Sequence, residues 1–374
     1  MSNKRMNSLR PHLDRLPPYS PIEPFEVLSD KLGLPVDQIV KLDANENPFG
    51  LTDKIRAALQ NMAHAHIYPD PESRMLRHAL ANFTEAPEKN ILAGSGADEL
   101  IDLIMRVCLD PKDYILNLPP TFGMYTFDAQ VNAGQVIDIP RLSDFTIDLD
   151  AITTAVTQYR PKLIFVANPN NPDGSLLTKN LINRLLELPV ITVLDEAYIE
   201  FAEPLSCGNE ISFCHQAHQR ENLIVLRTFS KWAGLAGLRV GYGCFPDWMM
   251  PTLWKTKQPY NVNVAASTAA LAAIEDLQTL TSRLNKITGS RRNLYQALQK
   301  FPYLEPYPSH ANFVLCKVSR IPAEHLKDRL AKDFGILIRY FDKPDLQDHI
   351  RISVGRDEHI QALLHALNKI GEEL

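Results

Sequence analysis

The chain places reactive side chains directly after apolar, β-rich runs. TFSKWAGLAGLRVGYG (228–243) follows NLIVL (222–226). It offers the hydroxyls of Thr228 and Ser230, the amine of Lys231 and, eight residues later, the guanidinium of Arg239. An amine placed there is either a solvated charge at a turn or a nucleophile toward a carbonyl compound. DEAYIEF follows VITVL (190–194). A carboxylate at Asp195 is expected to be nearly buried and to need a partner. A helical turn would bring Tyr198 to the same face. NPNNPDG (168–174) follows KLIFVA (162–167), and its Asn-Pro and Asp-Gly pairs specify a tight loop from which Asn171 can donate a hydrogen bond. PPTFGMY (119–125) follows DYILNL (113–118), where Phe122 offers a platform for a planar ring. SGADEL (95–100) follows NILAG (90–94). Ser95 is expected to cap the next helix with Asp98 as its capping-box partner, and Gly96 lets the backbone approach a ligand. A turn of small residues running into a helix N-terminus at Ala97 is an anion site. Each feature also has a plain structural reading: a cap, a turn, a core aromatic or a surface cation. Together they supply a phosphate anchor, a ring stacker, an acid for a ring nitrogen, donors for a ring oxygen and an amine. That is the set needed by pyridoxal 5′-phosphate.

The elements that must position these groups are strands alternating with amphipathic helices. The β-rich runs, with QVIDIP (135–140) and RVGYG (239–243) added, number seven, separated by helical patterns such as ADELIDLIMRVCL and LTKNLINRLLEL. The alternation predicts an α/β fold with a mainly parallel sheet between helices, whose ligands bind beyond the carboxyl ends of the strands. After residue 260 the pattern changes to one or two long helices. The strands NFVLCKV, GILIRYF and HIRISVG follow, with helices between them, which is an α+β layer. The expected organisation is an N-terminal arm (1–30), a large domain (52–260), a small domain (31–51 and 285–374) and a linking helix at about 261–284. The proline-rich arm is expected to pack with the small domain.

Composition narrows the function. The 374 residues are enough for two domains, 45% are hydrophobic and 22% charged, and the net charge is −5. That balance argues against a nucleic-acid binder held by phosphate contacts. No apolar run reaches the length of a bilayer span and no secretory leader is visible, so no membrane partner is expected and the cytoplasm is the expected compartment. The five cysteines (Cys108, Cys207, Cys214, Cys244, Cys316) form no CxxC and are expected as free, mostly buried thiols, and no metal site is expected.

At LDANENPFG (42–50), YPDP (68–71), GSGADEL, PPTFGMY, NPNNPDG, DEAY, TFSKWAGLAGLRVGYG and RISVG (351–355) the chain resembles the fold-type I pyridoxal-phosphate-dependent aminotransferases. Within them it looks like the histidinol-phosphate group, over nearly its whole length. The resemblance implies a seven-stranded, mainly parallel sheet in the large domain and a homodimer with shared sites. It implies Lys231 as the amine that joins the cofactor and moves the substrate proton, Asp195 on the pyridine nitrogen, and Tyr198 and Asn171 on the ring oxygen. It further implies Phe122 on the ring face, where the family often has tyrosine. Ser95, Gly96, Ala97, Asp98, Thr228, Ser230 and Arg239 would surround the phosphate, with Tyr68 reaching the phosphate of the neighbouring subunit. Tyr19, Asn47, Arg339 and Arg351 would meet substrate, Arg351 at the position that takes the α-carboxylate of glutamate. The implied reaction is reversible amino transfer between L-histidinol phosphate and 2-oxoglutarate, giving imidazole acetol phosphate and L-glutamate, in histidine biosynthesis.

Same-fold alternatives are an aromatic amino acid aminotransferase and a threonine-phosphate decarboxylase, which share the lysine segment. A pyridoxal-phosphate-binding regulatory domain would need a DNA-binding module, for which the arm is too short and too rich in proline. A dinucleotide-binding oxidoreductase is suggested by GSGADE, but the third glycine is absent, as is an acid ending the next strand. His64 and His66 are expected at the surface.

Overall fold

The computed structural model describes residues 9–16, 23–202 and 211–374. Its strands are β1 (Val40–Leu42), β2 (Ile91–Gly94), β3 (Tyr114–Asn117), β4 (Gln135–Asp138), β5 (Leu163–Ala167), β6 (Ile191–Asp195), β7 (Leu223–Thr228), β8 (Gly241–Cys244), β9 (Leu304–Pro306), β10 (Phe313–Val318), β11 (Ile336–Tyr340) and β12 (His349–Ser353). Seven form one sheet in the order β2-β8-β7-β6-β5-β3-β4, and five form another in the order β1-β11-β12-β10-β9. In the larger sheet β7, β6, β5, β3 and β4 pair in parallel. Both β2 and β7 run antiparallel to β8, so β8 alone opposes the other six. This is the mainly parallel seven-stranded sheet expected from the sequence.

The central strands are buried along their whole length, as a sheet covered on both faces requires. Their alternation decides which face each side chain meets. Ile164 and Val166 join Ile182 and Leu185 on one side, and Leu163 and Phe165 join Leu100, Ile104 and Leu253 on the other. The first of these clusters continues through Leu280, Leu284, Phe313, Ile336 and Ile352, so the same core runs on beneath the smaller sheet.

Two local expectations differ. The link near 261–284 is not one helix: Val264–Ile274 and Leu277–Leu298 are separated at Glu275 and Asp276, where Asp276 accepts a 2.6 Å bond from the Thr279 hydroxyl. Asp276, at φ −115° and ψ 32°, is out of helical conformation and marks the break, while its carbonyl accepts the first bond of the second helix from the Leu280 N–H. The arm also divides. The turn Pro11–Arg15 packs on the end of the helix Met124–Val131, since Arg10 Nη1 donates to the Val131 carbonyl (3.3 Å) and His12 Nε2 lies 3.2 Å from the same oxygen. Leu28, on the helix Phe25–Leu32, packs with Ile39 and Leu337 beside the smaller sheet. Cys214, Cys244 and Cys316 are buried free thiols and Cys108 is partly so, its thiol pushed up to about 12 by burial; Cys207 lies outside the described residues. Among the described residues no helix is long and apolar enough to cross a membrane.

The strands meet the site through tight backbone contacts. Gly241 pairs with Gly94 on one side and Thr228 on the other. A Cβ on it would lie 2.6 Å from the Ala97 nitrogen and 2.8 Å from the Gly96 carbonyl carbon. Backbone on every side cannot yield without moving β8, so Gly241→Ala is expected to cost about 1–3 kcal/mol in urea unfolding. An unchanged midpoint would overturn that.

Candidate active site

The C-terminal ends of β2, β7, β6, β5 and β3 lie along one edge of the larger sheet. Each parallel strand delivers its loop there, as open α/β sheets do. Asp195 is the last residue of β6 and is buried. Its Oδ2 accepts a 2.6 Å bond from the Tyr125 hydroxyl and its Oδ1 a 3.0 Å bond from the Ala197 N–H. Burial pushes this carboxyl up to about 6, against the two hydrogen bonds and the charge of Lys231, which pull it down. Among the described residues no cation pairs with it.

Lys231 follows the end of β7. Its Nζ is 3.5 Å from the Ala44 carbonyl oxygen and 5.9 Å from the centre of the Tyr198 ring. Among the described residues no carboxylate pairs with it. Tyr198, three residues past Asp195, stands edge-on to Phe313, and its hydroxyl accepts a 3.0 Å bond from Asn45 Nδ2. Behind them the remaining acids of DEAYIE are structural. Glu196 accepts from Ser212 Oγ and the Phe213 N–H, and Glu200 pairs with buried Arg227 at 2.7 Å.

A second part of the site is built from β2, β7 and the segment before β8. The helix Ala97–Cys108 starts at Gly96, whose φ of 81° and missing side chain leave the first N–H groups uncapped. The expected cap by Ser95 is therefore absent. Glu99 Oε2 instead accepts from the Ser95 N–H at 2.6 Å, and Asp98 Oδ2 takes Arg239 Nη2 at 2.8 Å. The physical reason is position: Gly96, not Ser95, takes the N-cap place, and Arg239 Nη2 would lie 2.5 Å from a Cβ there, so no capping side chain fits. Thr228 Oγ1 donates to Ser230 Oγ (2.9 Å) and accepts from the Ser230 N–H (3.1 Å). Hydroxyls, helix N–H groups and one arginine thus converge on a place for an anion.

Across the cleft the smaller sheet presents its own cations. Arg339 on β11 and Arg351 on β12 are cross-strand partners, and both guanidiniums stand against the Phe341 ring at 5.7 and 5.6 Å, with Phe313 5.2 Å from Arg351. Like charges placed opposite one another repel, a cost that an anion between them would reverse. Arg351 Nη1 donates to Asn171 Oδ1 at 2.5 Å and Nη2 to the Asp43 carbonyl at 2.8 Å, while its buried Nε has no partner. Burial pushes this guanidinium down to about 10. With Oδ1 engaged, the Asn171 amide points its N–H donors elsewhere.

Other expected residues fall differently. Phe122 is half-buried and edge-on to Tyr125 at 5.6 Å. Asn47 does not face the cleft as a free amide. Its Nδ2 donates to the Trp232 carbonyl (2.9 Å) and its Oδ1 accepts from the Phe49 N–H (3.0 Å), so both ends hold the loop behind Lys231. Its neighbour Asn45 was the residue to find: besides Tyr198 it binds Ser353 through both backbone N–H and Oδ1, and Asn312 holds its carbonyl. Nothing local in LDANENP distinguishes the two asparagines. Tyr125 was legible in PPTFGMY, three residues beyond Phe122, but has no signature of its own. Tyr68 is 80% exposed and stacks on Tyr260 at 4.7 Å. His64 and His66 are exposed. Tyr19 lies outside the described residues.

The pattern of the family aminotransferase class I and II matches residues 37–367. The chain is 51% identical to the chloroplastic histidinol-phosphate aminotransferase of Nicotiana plumbaginifolia, over 96% of this chain and 86% of that one. It is 47% identical to the histidinol-phosphate aminotransferase of Roseiflexus castenholzii, over 97% and 98%. In three dimensions it matches histidinol-phosphate aminotransferase from Sinorhizobium meliloti, solved in complex with pyridoxal-5′-phosphate, with a TM-score of 0.88, 28% identity and 99% of both chains covered. The chain belongs to the class I and II aminotransferases and, within them, to the histidinol-phosphate aminotransferase family.

Proposed function

We propose that this protein is a pyridoxal-phosphate-dependent histidinol-phosphate aminotransferase, moving the amino group reversibly between L-histidinol phosphate and 2-oxoglutarate. The observation that carries the substrate is the cross-strand pair Arg339 and Arg351 on the second sheet, of which Arg351 reaches Asn171 in the loop after β5. A bidentate guanidinium suits a carboxylate or a phosphate alike. One site can therefore take glutamate, with its two carboxylates, and histidinol phosphate, which has no carboxylate.

The residues fit the cofactor on three grounds. Asp195 is a buried carboxylate with no cation of its own and suits a protonated ring nitrogen. The uncapped helix at Gly96, with Thr228, Ser230 and Arg239, suits a phosphate. Phe122 offers a ring face. When bound, pyridoxal 5′-phosphate supplies a carbonyl carbon for the amino group and a conjugated ring that withdraws electrons from the substrate Cα. The chain's part is then positional and protic. Asp195 would hold the proton on the ring nitrogen, and the Tyr198 hydroxyl and the Asn171 amide would donate to the ring oxygen. Lys231, which has no carboxylate partner among the described residues, would bind the cofactor and, once released, would take the proton from substrate Cα and deliver it to the cofactor's former carbonyl carbon. Asn45 fixes the Tyr198 hydroxyl. Arg351 and Arg339 set the substrate anion, and the bond from Arg351 to Asn171 ties the substrate's position to the ring oxygen. Tyr19 of the arm is a further contact for the substrate phosphate in this reading.

The working unit is a homodimer. Tyr68 and Tyr260 form an exposed stack, and Ile67 and Met75, near Tyr68 in the chain, are exposed as well, the kind of apolar exposure that association covers. Tyr68 would cross there to the partner's phosphate site. The cytoplasm remains our reading for its compartment, although the Nicotiana relative is chloroplastic.

Lys231→Ala is expected to abolish transamination and the visible absorbance of bound cofactor; full activity would end the proposal. In an amino-donor panel with 2-oxoglutarate, histidinol phosphate should exceed phenylalanine, tyrosine and phosphothreonine. A preference for the aromatic donors would point to an aromatic aminotransferase. Arg351→Ala should weaken glutamate and histidinol phosphate alike by about tenfold or more, and Arg339→Ala should fall mainly on histidinol phosphate. Equal losses on glutamate would remove that division.

The dimer has its own test. Inactive Lys231→Ala and impaired Tyr68→Ala chains, mixed and refolded together, should regain turnover, because each hybrid holds one intact site. No recovery would place Tyr68 outside the shared site.

Asp195 makes the cofactor-free protein sensitive to pH. Its folded value of about 6 lies above the ordinary carboxyl value, so its contribution to stability is complete in acid and is lost as pH rises through about 6. Asp195→Asn cannot charge. The cofactor-free variant should therefore melt higher than the cofactor-free parent at pH 8, with the gap closing at pH 4.5. The same gap at both pH values would overturn this assignment.

A further inference from the structure

Tyr125 has no part in the reaction as described so far, yet it is the side chain closest to the carboxylate on which the cofactor reading depends. It is fully buried on the first turn of the helix Met124–Val131. Its ring lies on Phe165 of β5 at 4.9 Å and 24°, and takes the edge of Phe122 at 5.6 Å and 81°. Its hydroxyl donates to Asp195 Oδ2 at 2.6 Å. One turn of chain, 122–125, thus carries both the ring that faces the cofactor and the donor that holds the acid.

We propose that Tyr125 is the positioning residue for Asp195, its hydrogen bond fixing the carboxylate's plane and favouring the charged form that holds the proton on the cofactor's ring nitrogen. This rests on the reading of Asp195 as partner of that nitrogen. A carboxylate has about four lone-pair directions. Tyr125 takes one on Oδ2 and the Ala197 N–H takes one on Oδ1, so two donors from opposite sides fix the group and leave lone pairs for the ligand. A donor to the charged form favours that form, which matters where burial disfavours it. Tyr125 stays a donor, because burial first and the neighbouring Asp195 charge second push its phenol well above the ordinary value. The other ionisable groups facing the pair are Asp98 and Tyr198 on the phenol side, and Asp98 and Lys231 on the carboxylate side. Among the described residues, Lys231 is the cation acting on Asp195, and no hydrogen bond joins the two.

Tyr125→Phe keeps both ring contacts and removes one hydroxyl, so it separates bonding from packing. The test is a double-mutant cycle on the full-length protein with Tyr125→Phe, Asp195→Asn and both together. It reads the dissociation constant of pyridoxal 5′-phosphate from the apoenzyme across pH, with the thermal midpoint of each apoenzyme as a folding control. Tyr125→Phe alone should raise that constant about 10- to 100-fold. The factor should grow as pH falls, because an acid without its donor protonates sooner. In the Asp195→Asn background the same change should shift the constant less than about twofold. In steady state, kcat should fall while KM for histidinol phosphate stays near the parent value. Equal factors in both backgrounds would make Tyr125 a packing residue and overturn the proposal, and so would no effect in either. If Asp195→Asn alone left cofactor affinity and turnover intact, the reading of Asp195 would fall first, and this proposal with it.

Discussion

A carboxylate buried at the end of a central strand is unstable company for its own protein. Asp195 has two hydrogen-bond donors and no cation of its own. The geometry around it follows from that deficit. β6 lies between β5 and β7, so the loops carrying Asn171 and Lys231 flank it, and Tyr125 reaches it from the first turn of the helix that follows β3. Removing water from such a group strengthens whatever charge it eventually meets. A sheet whose strands share one direction supplies this convergence without long connections, because each strand's exit loop opens on the same edge.

The opposing deficit stands across the cleft. Arg339 and Arg351 repel one another across a strand pair and flank one aromatic ring. The Phe341 face offsets part of this, and an anion offsets the rest. A lone acid without a cation and two bases without an acid face each other, and a ligand that is cationic at one end and anionic at the other completes both. The side chains that link the two centres are few. Asn171 touches Arg351, Tyr198 is held by Asn45, and Asn45 is tied to Ser353 on the same strand as Arg351. A shift of the smaller sheet is thereby felt at the groups that meet the cofactor.

What could be read from sequence was what depends on neighbours in the chain. Apolar runs marked the strands, and each polar loop after a run marked a strand exit, which is why Lys231, Asp195, Asn171 and Phe122 could be singled out. What depends on distant partners could not be read. Asn45 and Asn47 have the same chemistry two residues apart, and their distant contacts separate them, to Tyr198 and Ser353 for the one and to Trp232 for the other. Ser95 looked like a cap because Ser before a helix usually is one. Its replacement by open N–H groups is decided by Arg239, more than a hundred residues on. The break at Asp276 carries neither glycine nor proline, so composition gave no warning of it.

One pairing sets the order in which the protein can be completed. β1 sits in the smaller sheet only by lying parallel to β11, Val40 against Ile336, and the loop after β1 brings Ala44, Asn45 and Asn47 to the lysine. The larger sheet needs nothing beyond residue 244 for its strands. A ribosome therefore releases a nearly finished sheet holding Lys231 and Asp195 long before their roof can be laid, and contacts of such separation form late and slowly. Until the last tenth of the chain emerges, β1 has no strand to pair with, and the segment over the lysine rests on its contacts to Tyr198 and Trp232.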